Sequence, residues 1–104
     1  MAAYQRGDAA YQRGDYATAI RELRPLAEQG HANAQIILGL MYDKGQGVLQ
    51  DYAQAHMWYN LAASRLPTGE GRDIAVNNRD LLAKVMTPAQ ISEAQKLARE
   101  WRPK

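Results

Sequence analysis

Three candidate helix starts recur along the chain at a constant spacing of 36 residues, at Asp15, Asp51 and Thr87. Each of these side chains is short and has an oxygen that can accept a hydrogen bond from a backbone amide of the first helical turn, which is the role of an N-cap. The sequence around two of them also repeats, since residues 15–19 (DYATA) return as residues 51–55 (DYAQA). A period of this length predicts a stack of helical hairpins.

Glycine and proline residues divide the chain into six predicted helices, and no alternating strand pattern competes with them. We expect an all-α fold, an α–α superhelix or solenoid of about three helical hairpins, in one domain with units at about residues 2–30, 31–64 and 70–102. The predicted helices cover about residues 2–13, 16–29, 32–43, 52–64, 72–85 and 88–101, with a breaker-rich linker at 65–71. The fifth helix carries the apolar residues Ile74, Leu81, Leu82 and Val85.

The composition narrows the possible functions. A chain of 104 residues has room for one domain with a modest core, and the absence of cysteine excludes disulfides and thiolate metal sites. The 13 basic and 11 acidic residues are scattered, without a dense basic run that could follow a phosphate backbone, so we expect no nucleic-acid partner despite a pI near 9.0. No stretch approaches the ~18 apolar residues of a membrane span, so we expect no membrane insertion.

The start of the chain bears on its location in the cell. Residues 1–8 lack the apolar core of a secretory signal. As it stands the chain is expected in the cytoplasm, and it is expected in the periplasm or outside the cell if a signal peptide has been removed. The sequence leaves both locations open.

A dense motif occupies residues 34–63. Small residues such as Ala34 and Gly39 let neighbouring helices approach closely, and larger ones such as Tyr42 and Trp58 fill the space between them. This block closely resembles the SEL-1-like repeat, a relative of the tetratricopeptide repeat, with the pattern A-x-x-x-L-G-x-x-Y-x-x-G-x-G-V followed by D, A, W-Y and A-A. The matching positions are Ala34, Leu38, Gly39, Tyr42, Gly45, Gly47, Val48, Asp51, Ala55, Trp58, Tyr59, Ala62 and Ala63. Residues 70–101 resemble the closing hairpin of short bacterial members of the family.

The resemblance implies a scaffold that holds other proteins, as adaptors of this family do in bacterial envelopes, signalling and virulence. By analogy with tetratricopeptide repeats, the first helix of each hairpin lines a concave face. On the third helix that face would contain Asn33, Ile36, Ile37, Leu40, Asp43 and Lys44. Ile36 and Ile37 replace residues that are often aromatic and polar in the family, so they belong either to this face or to the core. Leu49 stands where the family usually has proline.

The first seven residues after Met1 are duplicated, because residues 2–8 (AAYQRGD) return unchanged as residues 9–15. Seven residues make nearly two helical turns, so the copy lengthens the first helix and keeps Tyr4 and Tyr11 on one side. Gly7 then lies inside the helix, where glycine costs about 1 kcal/mol relative to alanine. The apolar side of this helix could be covered by a second chain, which predicts a homodimer through Tyr4 and Tyr11. The alternative is that the copy is a cloning or design feature without a biological role.

No residue pattern predicts catalysis. His31 and His56 lack the metal-binding spacing H-E-x-x-H, Asp43 and Asp51 lack EF-hand spacing, and the glycines at 45 and 47 lack the phosphate-loop pattern. We therefore expect no catalytic residue, no metal ion and no cofactor. The favoured function is a non-enzymatic adaptor that binds a peptide or protein segment on the concave face. The alternatives are a self-assembling structural module and, without a supporting catalytic pair, a small cell-wall hydrolase.

Overall fold

The computed structural model describes residues 2–104 and contains six α-helices in that range. These are α1 (Ala3–Gln12), α2 (Tyr16–Glu28), α3 (Ala32–Lys44), α4 (Tyr52–Arg65), α5 (Glu70–Ala83) and α6 (Pro88–Glu100). Residues 2–104 include no strand. The predicted all-α fold is confirmed, and each helix begins and ends within two residues of its predicted bounds.

The three predicted N-caps open α2, α4 and α6. Asp15, Asp51 and Thr87 each accept a hydrogen bond from the backbone amide three residues later, at 3.2, 3.1 and 3.1 Å respectively. At Thr87 the cap is reciprocal, because its backbone amide donates to Gln90 Oε1 at 2.8 Å. These bonds satisfy amides that would otherwise have no partner within the helix. The regular spacing seen in the sequence therefore marks the second helix of successive units.

The central helix of the fold is α4. α1 packs on α2, α2 on α3 and α3 on α4, while α5 and α6 both pack on α4. The contacts are filled by fully buried side chains, among them Leu23 of α2, Leu38 of α3 and Tyr59 of α4. Trp101, which follows α6, meets the buried Trp58 edge to face with ring centroids 6.4 Å apart. This stacking is consistent with a solenoid of helical hairpins whose middle hairpin is α3–α4.

The connection between α4 and α5 is shorter than the predicted linker at 65–71. Arg65 belongs to α4 and Glu70 to α5, so only residues 66–69 are non-helical. Glu70 and Asp73 lie in the first turn of α5, where negative charge interacts favourably with the helix dipole. These carboxylates favour a helix that begins at Glu70, although Gly71 led us to expect that the linker continues to residue 71.

The two copies of the duplicated heptad take different local structures. Gly7 lies inside α1, as predicted, and is buried against Leu23 of α2. Its counterpart Gly14 follows α1 with a φ of 81°, a conformation that glycine adopts without strain. The same seven residues differ in conformation because the second copy ends where the chain must turn into α2.

Candidate protein-interaction surface

The helices α3 and α4 meet closely at a glycine. A Cβ atom at Gly39 would lie 2.6 Å from both Cδ1 and Cε1 of Tyr59, so the ring occupies space that only glycine leaves. The Tyr59 hydroxyl donates a hydrogen bond to Asp43 Oδ2 at 3.1 Å. Burial, and then the neighbouring Asp43 carboxylate, raise the pKa of Tyr59 far above its usual value, so the hydroxyl keeps its proton. Asp43 is therefore held by a side chain of α4.

The loop between α3 and α4 is tied to the first two helices. Gly45 and Gly47 have φ values of 66° and 73°, the positive values that the motif predicts. Between them, Gln46 accepts a hydrogen bond from the Tyr11 hydroxyl at 2.8 Å and donates one to the Tyr16 hydroxyl at 3.1 Å. These two bonds fix the C-terminal end of α3 against α1 and α2.

The N-terminal end of α3 is also fixed by side chains. His31 is the N-cap of α3, and its Nδ1 accepts a hydrogen bond from the Ala34 amide at 3.1 Å. The imidazole stacks on the ring of Tyr4, with centroids 4.8 Å apart and planes inclined by 22°. The sequence did not identify this cap, because histidine is not among the side chains usually found there. Both ends of α3 are thus anchored.

The six residues predicted for a binding face on α3 divide into buried and accessible ones. Ile36 and Ile37 are 9% and 7% exposed and belong to the core, which settles the alternative that the sequence left open. Asn33 and Lys44 are exposed, and Leu40 and Asp43 are partly exposed. Positions 33, 40 and 44 fall on one side of a helix because they are seven and four residues apart. We call Asn33, Leu40 and Lys44 the α3 surface.

The two tyrosines predicted for a dimer interface make contacts within their own chain. Tyr4 stacks on His31, and the ring of Tyr11 lies 5.7 Å from that of Tyr16. Both are half-buried against the largest core cluster, and burial raises the pKa of each hydroxyl. The homodimer through these residues stays a prediction.

The apolar residues of α5 do not all enter the core. Leu82 is buried, whereas Ile74, Leu81 and Val85 are exposed. On the sequence alone these four side chains form one apolar group, in which the buried one is not separated from the three exposed ones. The available signal was their spacing, because positions 74, 81 and 85 share one side of a helix and position 82 lies on another.

The histidine of α4 is a core residue. His56 is 6% exposed, and its Nδ1 has no hydrogen-bond partner among the described residues. Burial, and then the nearby Arg79 guanidinium, lower the pKa of His56.

Within residues 2–104 no three histidine, aspartate or glutamate side chains are grouped so that they could hold a metal ion. None of the described helices is long and apolar enough to cross a membrane.

Comparison with known families identifies the middle hairpin. Residues 32–65 match the model of the Sel1 repeat, and this range spans α3, the anchored loop and α4. Comparisons with curated proteins and with solved structures find no match. The match confirms the resemblance that the motif predicts for the centre of the chain.

Proposed function

We propose that this helical repeat protein, whose middle hairpin is a Sel1 repeat, is a non-enzymatic adaptor that binds a segment of another protein. The repeat itself indicates a protein-interaction module. The α3 surface is the part of that repeat to which we assign the contact. The proposal rests on one observation. Asn33 and Lys44 are exposed at the two ends of α3, whereas residues 34–39 between them are buried.

The dimensions of the α3 surface suit a short extended segment. Asn33 and Lys44 are separated by eleven residues of helix, which is about 16 Å at 1.5 Å per residue. A strand-like peptide covers this distance with roughly five residues. The surface offers an amide, an aliphatic side chain and an ammonium group, so a partner needs both hydrogen-bond acceptors and an apolar side chain. A contact this small supports an affinity on the order of micromolar.

The anchoring of α3 supports the same function. Its N-terminal end is held by His31 and its C-terminal end by Gln46, in each case through contacts with α1 or α2. A surface that is already rigid loses little conformational freedom when a partner binds, and this raises affinity for a given contact area. The side chains that contact a partner can therefore be few.

The test is partner capture with matched variants. Asn33→Arg with Lys44→Glu changes the α3 surface, and Ser92→Arg with Lys96→Glu makes the same kinds of change at exposed positions of α6. We expect proteins captured by the unaltered chain to be lost only with the α3 variant. Photo-crosslinking residues at positions 33 and 44 should join the same proteins, and those at 92 and 96 should not. Equal loss with both variants would contradict the proposal.

A further inference from the structure

The largest exposed apolar feature lies on α5. Four large apolar side chains are exposed within residues 2–104, and three of them, Ile74, Leu81 and Val85, belong to α5 or the turn that follows it. They are 44%, 62% and 65% exposed. Ile74 and Leu81 are seven residues apart and lie on one side of the helix, and Val85 follows four residues after Leu81 in the turn that continues from it. We call these three residues the α5 stripe; large apolar side chains that are exposed close together are typical of an interaction site.

Charged residues accompany the α5 stripe in an ordered way. Glu70 and Asp73 lie in the first turn of α5, and Lys84 lies at its C-terminal end. Glu70 and Lys84 are fourteen residues apart, nearly four helical turns, so they lie along the same edge of the helix. None of the three takes part in an ion pair among the described residues. Of the other charged residues of α5, Arg72 lies on the side away from the stripe, and Asp80 pairs with Arg79 at 3.1 Å. One end of the stripe is therefore bordered by unpaired negative charge and the other by the positive charge of Lys84.

We infer that the α5 stripe is a self-association surface at which two copies of the chain pack their α5 helices in antiparallel orientation. In this arrangement Ile74 of each copy faces Leu81 and Val85 of the other. Glu70 and Asp73 of each copy then lie beside Lys84 of the other, so two carboxylates share one ammonium group at each end of the helix pair. A parallel pair would place like charges together. An antiparallel pair is compatible with a two-fold axis perpendicular to the helices, which closes the assembly at two chains.

The charge pattern favours a second copy over an unrelated apolar partner. When a second α5 helix runs in the opposite direction, its positive end lies beside the negative end of the first. The expected dimer is reversible. The helix of 14 residues is about 21 Å long, and one pair of such helices buries less than the ~1,600 Å² of a standard interface. We expect dissociation constants within about 1 µM to 1 mM.

Sedimentation equilibrium of the full chain across that concentration range tests the inference. The average mass should rise from 11.6 kDa toward twice that value. Leu81→Asp should weaken association at least about 30-fold, since the change removes two apolar contacts per dimer. Leu49→Asp is the matched control, because Leu49 is 90% exposed and lies outside the stripe. It should leave the mass unchanged, and circular dichroism should show an intact fold for both variants.

A charge exchange tests the antiparallel orientation. Lys84→Glu should weaken the dimer by up to about tenfold, since it replaces two attractive contacts by repulsive ones. A mixture of this variant with Glu70→Lys/Asp73→Lys should associate more tightly than either variant alone. A chain that stays monomeric throughout, a dimer that Leu81→Asp leaves intact, or an equal loss with Leu49→Asp would each overturn the inference. A mass that falls only on deletion of residues 2–8 would overturn it in favour of α1.

Discussion

Replacing Gly7 with alanine has two opposite effects on the free energy of unfolding, a gain from helix propensity and a loss from packing. Propensity alone predicts that alanine inside α1 raises the free energy of unfolding by about 1 kcal/mol. The new Cβ, however, would lie 2.4 Å from Cγ and 2.5 Å from Cδ2 of Leu23, where about 3.5–4.0 Å is normal. Leu23 is fully buried, so we take the upper end of the overpacking cost, about 3 kcal/mol.

The expected net result for Gly7→Ala is a loss of about 2 kcal/mol, or roughly 9 °C in melting temperature for a domain of this size. Urea unfolding followed by far-UV circular dichroism measures it. The decisive measurement repeats Gly7→Ala in a chain that also carries Leu23→Ala, because this second change removes the atoms with which the new methyl group collides. In that background Gly7→Ala should raise the free energy of unfolding by about 1 kcal/mol, which gives a coupling of about 3 kcal/mol between the two sites.

Gly71→Ala is the matched control for this cycle. Gly71 lies in the first turn of α5, and a Cβ there would meet its nearest neighbour, Leu66 Cδ1, at an ordinary 3.5 Å. We expect this substitution to stabilise the chain by up to about 1 kcal/mol. A Gly7→Ala variant that is also more stable than the unaltered chain would refute the packing argument.

Three further changes test the core and the caps. Gly39→Ala should lower the free energy of unfolding by up to about 2 kcal/mol, because the collision of its methyl group with the buried ring of Tyr59 costs up to about 3 kcal/mol and helix propensity returns about 1 kcal/mol; urea unfolding measures this. The lowered pKa of His56 means that its contribution to stability is complete above the unfolded pKa of about 6.5 and is lost as the pH falls toward the folded pKa. His56→Asn should therefore flatten the dependence of stability on pH below 6.5, and an unchanged slope would contradict this. Hydrogen bonds from Thr18 lower the pKa of Asp15. Its contribution to stability is therefore present above the unfolded pKa of about 3.8 and is lost as the pH falls through the folded pKa. Asp15→Asn should reduce this acid-induced loss of stability in unfolding experiments.

The helices and their starts could be predicted because they depend on local chemistry. Asp15, Asp51 and Thr87 cap helices through bonds that span only three residues, so short sequence windows contain the necessary information. Gly45 and Gly47 were predictable for the same reason, since positive φ is a property of the single residue. The match to the Sel1 repeat at residues 32–65 rests on many such local features at fixed offsets.

The division between core and surface was harder to predict, because it depends on neighbours that are distant in sequence. Ile36 and Ile37 are adjacent but enter two different core clusters, since α3 lies between helices on more than one side. Leu81 and Leu82 are also adjacent, and only Leu82 meets α4 and α6 residues in the core. Hydrophobicity along a helix identifies apolar positions, but the placement of neighbouring helices decides which of them are covered.

The burial pattern restricts where this protein can bind anything. Residues 34–39 of α3 and 55–59 of α4 are buried without interruption, so the hairpin of α3 and α4 is mostly interior and offers only narrow accessible strips. The α3 surface combines polar and apolar groups, which suits a reversible contact with another protein, whereas the α5 stripe is aliphatic with a self-complementary edge. Two chains joined through α5 would carry two α3 surfaces, and a partner with two binding segments could engage both at once. The second contact would then be intramolecular, which raises the overall affinity by a large factor without any new contact on either chain. A weak adaptor surface on a small domain gains most from self-association of this kind.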